Sequence, residues 1–97
     1  MVILTERTLR EFGEKHADAA EALRVWYAQV DLADWGSWSD VKASYPTADY
    51  VGNDRYVFNI RGNRYRLIAR IHFNIRTVYI RFIGTHAAYD KVNASTI

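Results

Sequence analysis

The sequence predicts an α+β domain, with helices in its first half and an antiparallel sheet in its second. Two periodicities carry this. Before Pro46 the apolar residues recur at helical spacing, as in Ala19, Leu23, Trp26 and Val30. After Tyr56 they alternate with polar residues in the two-residue period of a half-buried strand. A third observation joins the halves. No repeat, low-complexity tract or Pro/Gly/Ser-rich linker separates them, and 97 residues leave room for one core, so a single domain over residues 1–97 is expected.

Each element follows from local signals. Val2 to Leu4 reads as a short strand, and Thr5 as the N-cap of a helix from about Glu6 to Lys15 with Leu9 and Phe12 inward. Asp18 with Glu21 three residues on resembles a capping box that starts the second helix. Ser37 and Asp40 open a short third helix, which Pro46 ends by about Tyr45. Tyr56 to Ile60 is a strand, and Gly62-Asn63 is the turn to the next. From Arg64 to Phe73, Tyr65, Leu67, Ala69, Ile71 and Phe73 face the helices. Arg64, Arg66, Arg70 and His72 face away, interrupted by Ile68. Asn74 and Ile75 turn the chain into a last strand from Thr77 to Ile83. Val78, Ile80 and Phe82 are expected inward there, with Tyr79 and Arg81 outward.

Composition narrows the function classes. Hydrophobic residues make up 49% of the chain, with seven Tyr, four Phe and three Trp, enough for a core without staples. The absence of Cys excludes disulfides, thiol nucleophiles and thiolate zinc sites. Met1 to Leu4 is too short for a signal-peptide apolar region, and no run suits a membrane span, so a soluble, cytoplasmic protein without membrane partners is expected. His16, His72 and His86 lack metal-ligand spacing, and there is no P-loop or dinucleotide glycine pattern, so neither metal nor cofactor is expected. Trp26, Tyr27 and the Asp34-Trp35-Gly36-Ser37-Trp38 string read as packing rather than as an aromatic ligand box.

The charge is distributed unevenly. Residues 1–54 hold five Lys/Arg against ten Asp/Glu, and residues 55–97 hold eight against Asp90 alone. Seven of those eight are Arg, whose planar fork suits phosphate. A polyanionic partner is one reading; a basic sheet face neutralised by the chain's own acidic helices is the other. Arg61, Arg64, Arg66, Arg70 and Arg81, interleaved with His72 and Tyr79, combine cations with rings, as surfaces for unpaired RNA do. Past the last strand, His86, Tyr89 and Lys91 follow Gly84. RNA cleavage needs a base for a ribose 2′-OH, cations for the crowded phosphate and an acid for the leaving oxygen. His86, Arg66 and Tyr89 are candidates for those parts.

The stretches Phe58-Asn59-Ile60-Arg61-Gly62-Asn63-Arg64-Tyr65-Arg66-Leu67 and Phe82-Ile83-Gly84-Thr85-His86-Ala87-Ala88-Tyr89-Asp90-Lys91 resemble HigB-type toxins of the RelE superfamily. So do Leu9-Arg10-Glu11-Phe12 and Ala33-Asp34-Trp35, so the likeness covers nearly the whole chain. The resemblance implies a RelE-like fold with catalytic residues on the concave sheet face, away from the helices. It implies a type II toxin that cleaves mRNA on the ribosome. A HigA-type helix-turn-helix antitoxin would silence it, with DNA met only through the antitoxin complex. Residue by residue, it makes Arg66 a phosphate or transition-state contact, places His86 near where relatives carry a catalytic Arg or His after the last strand, and places Tyr89 near the C-terminal Tyr that in relatives stacks on or orients the cleaved nucleotide. Arg61, Arg64, Arg70, Arg81 and Lys91 become candidate RNA contacts. Arg61 and Arg64 are the nearest substitutes for the paired strand lysines of some RelE proteins, a departure that leaves the general base open. A non-catalytic RNA- or ribosome-binding module, or a basic surface for an acidic protein segment, would use the same arginines without needing His86.

Overall fold

The computed structural model describes residues 1–97. Strand β1 (Val2–Leu4) leads into helices α1 (Glu6–Lys15), α2 (Ala17–Leu32) and α3 (Trp38–Ser44). Strands β2 (Asp49–Gly52), β3 (Arg55–Ile60), β4 (Tyr65–His72) and β5 (Thr77–Thr85) follow, and a short helix α4 (His86–Tyr89) comes after them. The five strands form one sheet in the order β1-β5-β4-β3-β2. The β2 to β5 meander is antiparallel, and β1 joins its far edge parallel to β5, so the whole sheet is mixed. Strand β2 lacks a clear apolar alternation that would mark it in the sequence, and it pairs only along the edge of β3. No helix is long and apolar enough to cross a membrane.

One sheet face carries the helices. Tyr56, Phe58 and Ile60 of β3, with Tyr65, Leu67, Ala69 and Ile71 of β4, join Leu23, Trp26 and Val30 of α2 in the core. Phe58 sits at its centre, 1% exposed. Trp26 and Tyr45 meet that ring edge-on at 5.4 and 5.3 Å, and Trp35 stacks on it at 6.2 Å. Aromatic pairs in these geometries add to the stabilisation from buried area. The tryptophans are therefore core residues, and Trp38 packs beside them against Tyr56 at 5.3 Å.

Two local expectations are corrected. Asp18 makes no capping box: His16 occupies the cap position of α2 without a side-chain bond, while Glu21 pairs with Arg24. In β5 the register slips at Arg81, so that Ile68 faces Phe82 but Ala69 faces Ile80. This bulge inserts one residue and reverses the alternation beyond it. Val78 and Ile80 face the helices as expected, but Ile83 then takes the inner position opposite Leu67. Phe82 is turned onto the outer face opposite Ile68.

Candidate active site

The outer face is built in rows across the strands. Asn59, Arg66 and Gly84 form one row, Val57, Ile68 and Phe82 the next, and Arg55, Arg70 and Tyr79 a third. His72 follows opposite Thr77, its ring 5.5 Å from that of Tyr79. Glycine at 84 has a steric cause: a Cβ there would lie 2.5 Å from Phe82 Cζ and 3.3 Å from Ala88 Cβ. The bare backbone lets the Phe82 ring and α4 close over the strand end.

That closure places the candidate chemistry. Thr85 caps α4, its Oγ1 accepting from the amide of Ala88 at 3.1 Å. The helix thereby presents His86 and Tyr89 together, their rings 6.4 Å apart. The Arg66 guanidinium lies 5.4 Å from the Tyr89 ring centre, a cation–π distance, and Arg66 Nη2 donates to Asn63 Oδ1 at 2.6 Å. His86 Nδ1 lies 3.3 Å from Asp90 Oδ2. Arg66, His86 and Tyr89, far apart in the chain, are thus brought to one end of the outer face. Asn63, Thr85 and Asp90 were not singled out in the sequence. The i,i+4 spacing of His86 and Asp90, and a Thr three residues before Ala88, are the signals that point to the last two.

The remaining expected contacts divide. Arg70 lies on the outer face, Arg81 is the bulged residue of β5, and Lys91 is exposed just beyond α4. Arg61 and Arg64 are not on the strand face. They occupy the β3–β4 turn, where Arg61 has φ 52° and Gly62 has φ 63°. Their guanidinium groups reach Asp18 at 2.7 and 3.1 Å. The Tyr65 hydroxyl donates to the other oxygen of that carboxylate at 2.5 Å. Tyr65 points towards the helices, so the turn beside it curls to α2 and away from the open face. The Tyr65 hydrogen bond, followed by the fields of Arg61 and Arg64, holds the Asp18 carboxyl below its ordinary range, and the same bond pushes the Tyr65 phenol up. Arg76 is likewise taken by Asp34 at 2.7 Å.

The arginines therefore sort by location. Arg7, Arg10, Arg24, Arg61, Arg64 and Arg76 pair with carboxylates. Arg55, Arg66, Arg70 and Arg81, all from β3 to β5, have no Asp or Glu partner. The Nε atoms of Arg66 and Arg70 and Nε2 of His72 are buried without hydrogen-bond partners. No three His, Asp or Glu side chains converge as a metal-binding group would need.

Helices on one face of a small sheet, arginines without Asp or Glu partners on the other and a His–Tyr helix at its end define a RelE-like α+β protein. Residues 19–92 match the HigB_toxin family, described as the RelE-like toxic component of a toxin–antitoxin system, and the chain belongs to that family. It is 29% identical to the mRNA interferase HigB of Escherichia coli O6:H1 (strain CFT073), over 95% of this chain and 91% of the relative. It is also 29% identical to the mRNA interferase toxin HigB of Escherichia coli (strain K12), over 97% of this chain and 92% of that one.

Proposed function

We propose that this chain is an endoribonuclease that cuts mRNA and thereby inhibits translation, as the toxic half of a toxin–antitoxin pair. The observation that carries the reading is the placement of Arg66, His86 and Tyr89 at one end of a face whose four arginines pair with no Asp or Glu. The names of the relatives, both mRNA interferases, support the same reaction.

The reaction is in-line attack of a ribose 2′-OH on the adjacent phosphate. Arg66 stabilises the charge that builds on the phosphate, a task that preorganised cations perform well. His86, oriented through the contact of its Nδ1 with Asp90, moves a proton in the reaction. Tyr89, stacked against Arg66, orients a base or supplies the second proton. Arg70, Arg81 and Lys91 extend the phosphate-binding track, whereas Arg61 and Arg64 are assigned to holding the β3–β4 turn on α2. The whole activity resides in the one domain, residues 1–97. The chain works in the cytoplasm on translating ribosomes, which supply part of the substrate orientation. A HigA-type helix-turn-helix protein is its antitoxin, and DNA is met only through that complex.

Expression without antitoxin tests the reading. Wild type is expected to arrest growth and to leave new mRNA 5′ ends that vanish when translation is blocked. Arg66→Ala and His86→Ala should do neither. Unchanged cutting by both variants would sink the site, and RNA binding without any cut ends would favour a binding module.

A further inference from the structure

The residues after α4 return across the outer face. Asn53 Nδ2 donates to the main-chain oxygen of Ser95 at 2.9 Å. Arg55 grips an oxygen of Ile97 through Nε at 3.1 Å and Nη2 at 2.8 Å, and Arg81 Nε reaches the same oxygen at 3.2 Å. The segment 91–97 therefore starts at the Arg66–Gly84 row and ends at the Arg55–Arg70 row. Between them lies the Val57–Ile68–Phe82 row. Val57 and Ile68 point away from the helices yet are 2% and 0% exposed, and they stand outside the main core. The segment is a strap over the face that carries the arginines without an Asp or Glu partner.

Its contacts have the form of a borrowed anion site. Two guanidinium groups converging on one oxygen, one of them through both Nε and Nη2, present donors that a phosphate oxygen would also satisfy. Here the oxygen of Ile97 occupies it and no Asp or Glu does, and Arg70, directly across from Arg55, is left with a buried and unpartnered Nε. Leaving such a donor unpaired is costly, so the closed strap satisfies this end of the face only in part. We infer that Arg55 and Arg81, with Arg70 beside them, form a second phosphate subsite for single-stranded RNA, and that RNA must displace the 91–97 strap to reach it. The inference rests on the proposed RNA-cleaving site. Arg66 and Arg70 are four residues apart on β4, roughly 13 Å at about 3.3 Å per residue, so one RNA strand crossing the face meets both ends. Arg55 was not among the contacts expected from sequence.

Locking the strap tests this. A Cβ at position 52 would lie 3.8 Å from Ser95 Cβ, within the range of a disulfide. The chain has no cysteine of its own, so Gly52→Cys with Ser95→Cys forms one defined link. Gly52 has φ 97°, and the strain of a side chain there is common to the oxidised and reduced protein, which are the two forms compared. The probe is a short oligoribonucleotide with 2′-O-methyl groups, which binds but cannot be cut. The oxidised form is expected to bind it roughly ten-fold more weakly. Its salt dependence should be shallower by about 1.4 in log–log slope, about 0.7 for each of two arginines withheld. Asn53→Gly, which suits the left-handed backbone there (φ 51°) and frees Ser95, should bind a few-fold more tightly than wild type. Equal affinity and equal slope in the oxidised and reduced forms would overturn the strap proposal while leaving the cleavage site standing. An oxidation-dependent difference in a protein that cuts no mRNA during translation would support the strap and overturn the cleavage reading.

Discussion

Arg61, Arg64 and Arg76 come from turns between the strands, whereas Arg55, Arg66, Arg70 and Arg81 come from the strands themselves. The turn arginines bend towards the helices and meet Asp18 or Asp34. The strand arginines meet no Asp or Glu, because the acidic helices lie on the opposite side of the sheet. Neutralisation by the chain's own acidic helices is therefore realised at the turns, while the strands keep arginines that no Asp or Glu meets. The turn set fastens the sheet to the helices, and only the strand set provides a field for a polyanion. A charge total conceals this division, since the two sets contribute equally per residue.

The sharpest way to test the division is to compare one residue from each set. Arg66→Ala is expected to lower mRNA cleavage by about 10²–10³, the usual effect of removing one preorganised charge stabiliser. Arg61→Ala should change cleavage by less than roughly two-fold, as for an exposed ion pair remote from the chemistry. Single-turnover cleavage on programmed ribosomes measures both, and equal losses would erase the distinction.

The core beneath should fail in the opposite manner. Phe58→Ala removes the ring around which Trp26, Trp35 and Tyr45 pack and should cost about 3–5 kcal/mol in denaturant unfolding. Whatever protein remains folded should keep its RNA salt dependence.

A smaller effect comes from giving the outer face a counter-charge. Asn59 stands directly across from Arg66. Asn59→Asp is expected to pair with that arginine as Asp18 pairs with Arg61, and to weaken RNA binding by roughly ten-fold with little change in Tm. Unchanged affinity would show that Arg66 does not meet phosphate in the ground state.

The smallest expected effect concerns the turn set and depends on pH. The Asp18 carboxyl is held below its ordinary range in the folded protein, first by the Tyr65 hydroxyl and then by Arg61 and Arg64. The unfolded chain binds that proton more readily, so the stabilisation is complete above the ordinary carboxyl range, about pH 4. It is lost as pH falls through the lower folded value. Asp18→Asn should be less stable than wild type at neutral pH, and the difference should shrink on acidification. A constant difference across the acid limb would break the assignment.

Much of the molecule is legible without coordinates, because its signals are local. The helical stripe of α2, the alternation of β4 and the glycine beneath α4 act over a few residues, and they identify the core side of each element. Arg66, His86 and Tyr89 were reachable too, because chemical type and family likeness single them out before their meeting is known. The tertiary structure decided what depends on residues far apart in the chain. Asp18 looked like a helix cap, and it is a partner for Arg61 across 43 positions. Phe82 looked like a core residue, until the Arg81 bulge reversed the phase that alternation alone extrapolates. The strap was invisible because its contacts, Asn53 to Ser95 and Arg55 to Ile97, each span 42 positions and follow no period. Periodicity tells which way a side chain points; the register of the sheet and the path of the chain decide what it meets.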